Sequence, residues 1–381
     1  MSFPDQIPYR RWFPWLSLFQ AIEISLSMRH LLVATGAIAV FSLSHWLIDR
    51  VAPDSRPSFQ LKIQIGGQAI PQTASILPFE SMVGIALPWQ EVLHSVERVV
   101  GPFSSSASGV QLEISQKRSI LIEIGALIWK VAVWTLFGLI LCRLSARRFA
   151  KRENGSFRKC VQFGVTRWSR GLIAPLIPTA AATLILGGMV TMTGLAWAVP
   201  VFNSFVMTVF SPFLLVAGIV AGFLIAATLL GWPLMVAAIA YDDCDGFGGL
   251  SRSYSQWTGR PWYFAWCWAI VAVAGVVAIT LTHWLAVWAF YLCSETIKSG
   301  MGNTAAATVG LQNIQFLIQL LLQAYAISFF WTGATIVYAL LRQSVDWMPC
   351  DTIAPDDDEQ PVRDPLPVVG IPAMEPPAST T

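Results

Sequence analysis

Glu123 and Lys130 are ionisable residues seven positions apart in an otherwise apolar stretch, a spacing that places them on nearly the same helix face. A charged side chain at the centre of a membrane helix costs about 2.5–3.5 kcal/mol on insertion scales, so residues of this kind are usually functional. They could line a path for a substrate. The structural alternative, which we favour, is that Lys130 extends its ammonium group toward the membrane surface.

Three glutamines form a polar stripe at helical spacing in another apolar stretch: Gln315, Gln319 and Gln323. Together with His283, they could complete a cavity open to one side of a membrane. Glutamines in membrane helices also join neighbouring helices through side-chain hydrogen bonds. Both interpretations stay open at the level of the sequence, with the structural one favoured.

An acidic cluster follows the fourth apolar stretch and contains Asp242, Asp243 and Asp245. Clustered carboxylates can bind a hard cation, but the remaining ligands of a calcium loop are missing here. Aspartate at a helix N-terminus caps free N–H groups, and we expect that role. The six cysteines have no metal-binding spacing, and no nucleotide-binding or hydrolase motif is present. We expect no catalytic residue, no metal site and no cofactor.

The elements that must position these residues are six long apolar stretches. Each is long enough to cross a hydrocarbon layer of about 30 Å as a helix. Charged residues make up 12% of the chain, against about 25% in soluble domains. The chain is therefore expected to be an all-α integral membrane protein. The predicted spans are 28–48, 120–142, 171–197, 205–241, 262–291 and 312–341. Whether 205–241 is one kinked span stays open.

Basic residues concentrate in alternate connections, which predicts that both termini are cytoplasmic. The main cluster lies between the second and third spans. Beside a span, such a cluster indicates contact with lipid headgroups rather than with nucleic acid. Its nine residues are Arg143, Arg147, Arg148, Lys151, Arg152, Arg158, Lys159, Arg167 and Arg170.

Short amphipathic segments precede alternate spans, at 1–27, 143–170 and 242–261. We interpret them as helices in the membrane plane, each followed by a transmembrane hairpin. Alternating hydrophobicity in 49–119 predicts a small extracytoplasmic α/β domain in the first hairpin. The Pro-rich, acidic tail at 342–381 is predicted to be disordered.

One pair of small residues, Gly218 and Gly222, has the spacing that allows two membrane helices to approach closely. This pair predicts a helix-packing site and carries no chemistry.

Several short motifs resemble a pattern in an uncharacterised family of polytopic bacterial membrane proteins. They are Gly231-Trp232-Pro233-Leu234-Met235, Asp245-Gly246-Phe247, Leu250-Ser251-Arg252-Ser253-Tyr254-Ser255 and Arg260-Pro261. The likeness covers the six predicted spans without the tail. It implies a multi-pass fold in the inner membrane of a bacterium and supplies no mechanism, because the family has no established activity. The family pattern has an acid after the Phe, where this chain has Gly248-Gly249.

These features favour a non-enzymatic membrane component that interacts with lipids or other membrane proteins. The alternative is a transporter with a polar path near Lys130 and the glutamine stripe. We expect the lipid bilayer as a partner, other membrane proteins as candidates, and no nucleic acid. The sequence does not indicate the oligomeric state.

Overall fold

The structure is a computed structural model, and it describes residues 14–51, 120–151, 156–198, 203–302 and 304–354. These residues form a short 3-10 helix, Pro14–Phe19, and eight α-helices, with no strand among them. Of the α/β domain predicted for 49–119, the structure describes only 49–51, which end α2, and most of the tail lies outside the described residues. The helices are α1 Gln20–Ser25, α2 Met28–Val51, α3 Ile120–Lys151, α4 Phe157–Ala198, α5 Asn203–Asp242, α6 Gly246–Gly259, α7 Pro261–Met301 and α8 Ala305–Val345.

Five helices in the described part of the chain are long and apolar enough to cross a membrane. The N-terminal pair Pro14–Ser25 and Met28–Ser44 bends by 72° and makes a sixth if it is counted as one broken span. Several apolar helices of this length indicate a multi-pass membrane protein.

The basic segment 143–170 was predicted to be a separate helix in the membrane plane. Its described residues belong instead almost entirely to two longer helices. Arg143 lies inside α3, which continues to Lys151, and Phe157 begins α4, which runs on to Ala198. No proline falls between Phe157 and the apolar run, so the amphipathic turns extend the following helix. The segment 242–261, in contrast, contains the separate helix α6, which Pro261 at the start of α7 helps to delimit.

The stretch at 205–241 forms one continuous helix, α5, with Pro212 and Pro233 inside it. Proline removes one backbone hydrogen bond and usually kinks a helix. Both prolines nevertheless lie within one helix, and its part Thr208–Asp242 is long and apolar enough to be a single candidate span.

The core of the described bundle is concentrated at the end where α5 and α8 finish. There α8 is the central helix and packs against α2, α3, α5 and α7. Its residues from Ala324 to Arg342 are all buried, and Trp331 meets Trp232 of α5 edge to face at 5.7 Å. The opposite part of α5 is exposed at Phe213, Leu215 and Ile219. The packed end therefore positions the polar groups, while the other end presents an apolar surface suited to lipid.

Candidate functional site

The carboxylate of Asp242, at the C-terminus of α5, connects three helices. It accepts a hydrogen bond from the Tyr338 hydroxyl of α8 at 2.5 Å. It also pairs with Arg342 of α8, with Nη1 3.3 Å from Oδ1, and with Arg252 of α6. The side chain of Asp242 is only 5% exposed, so these partners replace water around a buried charge.

The next residue, Asp243, connects the same region to α4. Arg167 donates two hydrogen bonds to its carboxylate, from Nε at 2.7 Å and from Nη2 at 3.0 Å. Arg170 donates a third from Nη1 at 3.1 Å. We call Asp242, Asp243 and their partners Arg167, Arg170, Arg252, Arg342 and Tyr338 the ion-pair joint.

Asp245 has the predicted capping role. Its Oδ1 accepts a hydrogen bond from the backbone N–H of Gly248 at 2.9 Å and begins α6. The other two acids of the cluster bind arginines, so all three carboxylates have a structural contact. No group of three or more His, Cys, Asp or Glu suited to a metal occurs within the described ranges.

A thiol beside the joint, Cys244, is a poor nucleophile. Burial raises the pKa of the Cys244 thiol to about 11, so the group stays protonated at neutral pH. Because the thiolate is the reactive form, this thiol reacts slowly at neutral pH.

Arg143 was predicted to face lipid headgroups, but the structure places its side chain inside the bundle, fully buried. It donates hydrogen bonds to the carbonyl oxygens of Ala240 at 2.9 Å and Ala354 at 2.8 Å, and it stacks on the Phe163 ring at 4.4 Å. Residues 346–354, which we call the strap, fold back after α8. Arg342 holds the strap as well, through the Thr352 carbonyl oxygen at 2.7 Å.

The other basic residues of the predicted headgroup cluster occupy different environments. Arg147 is buried, Arg148 lies 3.4 Å from Glu23 of α1, and Lys159 is half-buried. Arg158 is exposed. With Arg167 and Arg170 in the joint, the described part of the cluster serves mainly to join helices. The side chain of Lys151 and all of Arg152 lie outside the described residues.

The structure describes the side chains of five of the six residues predicted to line a polar path, namely Lys130, His283, Gln315, Gln319 and Gln323. Lys130 is 7% exposed, and its Nζ lies 6.0 Å from the centre of the Phe41 ring of α2. Gln315 and Gln319 are exposed on α8, whereas Gln323 and His283 are half-buried. The side chain of Glu123 lies outside the described residues.

Close helix contacts occur at glycines other than the predicted pair. A Cβ on Gly218 would lie 3.7 Å from Met189, and one on Gly222 would meet open space. In contrast, a Cβ on Gly275 of α7 would lie 2.7 Å from the Phe329 ring, and one on Gly333 of α8 would lie 2.8 Å from Val271. These two glycines bring α7 and α8 together, and their wide sequence separation hides them from motif searches.

A buried polar chain was also missed by the sequence analysis. Nδ1 of His30 lies 2.6 Å from the Ser27 hydroxyl, and its Nε2 lies 3.1 Å from Ser145 of α3. The Ser145 hydroxyl lies 3.0 Å from Thr332 of α8. The only sequence signal is the occurrence of small polar residues in apolar stretches, which does not reveal their pairing. This series of hydrogen bonds fixes the start of α2 against the centre of the bundle.

No family model, no characterised protein and no solved structure matches this chain. The resemblance to uncharacterised bacterial proteins therefore stays an expectation. What the described residues support is a multi-pass membrane protein with a tightly joined end.

Proposed function

We propose that this chain is a non-enzymatic component of a bacterial cytoplasmic membrane that interacts with lipids or other membrane proteins. The observation that carries this proposal is the use of Asp242 and Asp243 in contacts that join helices, and of Asp245 as the N-cap of α6. Ionisable groups used in this way build a rigid end rather than a reaction site.

The proposed arrangement is three transmembrane hairpins, with the joint and both termini on the cytoplasmic side. The aromatic residues of α7 support the transmembrane placement of this helix. Trp262 and Trp266 are exposed near the joint, and Trp284 and Trp288 are exposed farther along the helix. Trp266 and Trp284 are 18 residues apart, or about 27 Å at 1.5 Å per residue, close to the thickness of a hydrocarbon layer. Tryptophan favours both membrane interfaces.

A transporter is the second candidate, and the burial of Lys130 within a predicted span favours it. Such a group usually marks an ion or substrate pathway. In this alternative, Lys130 binds an anionic part of the substrate between α2 and α3.

Native mass spectrometry of protein purified gently with its own lipids distinguishes the two candidates. For a non-enzymatic component, we expect retained lipids or proteins that are the same in the parent and in Lys130→Met. A small molecule retained by the parent and lost in Lys130→Met would contradict this and indicate a transporter. Lys298→Met is the matched control, because this substitution removes the same charge at an exposed position.

A further inference from the structure

Two highly exposed tryptophans lie at neighbouring helix ends. Trp262 is 87% exposed at the start of α7, and Trp347 is 83% exposed just after α8. The end of α6 lies against the end of α8, because a Cβ on Gly259, three residues before Trp262, would lie 3.6 Å from Cγ1 of Val345, two residues before Trp347. The tryptophans therefore belong to one corner of the bundle, beside the ion-pair joint.

Trp347 has a backbone conformation that a bulky residue rarely adopts, with φ at +56°. Such a conformation persists only where surrounding contacts impose it, and it often occurs at functional sites. Here the contacts lie on both sides. The Asp346 N–H donates to the Arg342 carbonyl oxygen at 2.9 Å, and Arg342 donates from Nη2 to the Met348 sulfur at 3.0 Å.

Further along, the strap is held by the same end of α5. The Tyr241 hydroxyl donates to the Cys350 carbonyl oxygen, and the Ala354 N–H donates to the Tyr241 carbonyl oxygen at 3.0 Å. The fold thus fixes the strap backbone while leaving the Trp347 indole exposed. A large apolar ring held outward in this way is suited to contact with another phase or molecule.

The position of Trp262 indicates that the molecule in contact with the exposed Trp262 and Trp347 rings is lipid. Trp262 begins an exposed apolar series on α7 that continues through Trp266, Val273 and Leu281. The corner therefore lies where a proposed span leaves the hydrocarbon, at the depth that indole rings favour. Exposed Arg260 can contact a lipid phosphate there. Asp346 is exposed too and offsets this charge, so the indole rings rather than net charge attach the corner to the membrane.

We propose that Trp262 and Trp347 insert together into the lipid headgroup layer, so that the strap lies along the membrane surface. This inference rests on the proposed function, which places the chain in a membrane. As a consequence, the strap lies at the bilayer surface, in contact with phospholipid, where the chain continues from it. A protein partner would also use exposed Trp and Arg, and this is the outcome that the test must distinguish.

Photo-crosslinking in living cells tests the proposal. The photoreactive amino acid p-benzoylphenylalanine replaces Trp347 or Trp262, and mass spectrometry of the irradiated, purified protein identifies what it has captured. Leu285, 71% exposed on α7, is the position expected to capture lipid in any membrane-embedded arrangement. Phe264, buried on the same helix, is the position expected to capture none.

We expect phospholipid adducts at 347 and 262, as at 285, and none at 264. A protein adduct at 347, or no adduct there while 285 captures lipid, would overturn the inference and leave the proposed function standing. Absence of lipid adducts at 285 as well would overturn both.

Discussion

At the scale of single residues, Asp242 and Asp243 are adjacent in the sequence yet join different helices. Asp243 has φ at +48°, a left-handed conformation that aspartate adopts more readily than most residues. The turn directs one carboxylate toward α6 and α8 and the next toward α4. Two neighbouring acids can therefore connect four helices, counting α5 itself.

The variant Asp243→Asn should weaken the contact between α4 and the end of α5. An amide cannot balance the charges of Arg167 and Arg170, and we expect a loss of about 1–3 kcal/mol in stability because the site is only partly buried. Thermal unfolding in detergent, followed by intrinsic fluorescence, measures the change. Glu295→Gln is the control, since it alters an exposed carboxylate 3.8 Å from Lys298. Equal unfolding temperatures for the two variants would contradict a stabilising role for the pairs.

At the scale of helices, the bundle is organised around α8. The glycines that allow α7 to approach it are matched to large partners, with Gly275 opposite Phe329 and Gly333 opposite Val271. Because both partners sit on apolar helices, the close contact must come from packing rather than from a hydrophobic driving force in lipid.

The variant Gly275→Ala should destabilise the protein by about 1–3 kcal/mol, because the added methyl group overlaps the buried Phe329 ring. Gly222→Ala makes the same change where the structure leaves open space. There we expect no loss, and a gain of up to about 1 kcal/mol from helix propensity. The two unfolding temperatures, measured side by side, decide the point. If Gly222→Ala is the more damaging variant, the described α7–α8 contact is not the one that holds the protein together.

At the scale of the whole molecule, the buried polar contacts and the exposed apolar surface lie at different places along the bundle. Arg143, Asp242 and Arg342 lie at one end, and the exposed apolar parts of α5 and α7 extend away from it. The aromatic residues of α7 are suited to the two membrane interfaces. In the proposed orientation, the end of the bundle with the ion-pair joint faces the cytoplasm. Exposed Cys293, near the far end of α7, then faces the outside.

A membrane-impermeant maleimide should therefore label Cys293 in spheroplasts without permeabilisation. Cys350, half-buried at the joint end, should react only after the membrane is opened. Cys293→Ser should abolish the early labelling, which mass spectrometry of the alkylated peptides can follow. Early labelling of Cys350 instead would reverse the proposed orientation.

The sequence by itself determined the apolar helices, because a span of about 20 residues needs only local composition. It also indicated the capping role of Asp245, which depends on a residue three positions away. Both features depend on neighbours along the chain, so pattern and propensity are enough to predict them.

Only the tertiary structure decided which polar groups meet. Arg143 reaches Ala354, 211 positions away, and His30 reaches Ser145, 115 positions away, and neither pairing leaves a periodic trace in the sequence. The same is true of Gly275 and Gly333, whose importance comes from the ring or side chain opposite each. Lys130 stood out in the sequence by its charge, but its neighbour Phe41 depends on how α2 packs on α3. Such contacts depend on the crossing of helices in space, which local composition does not encode.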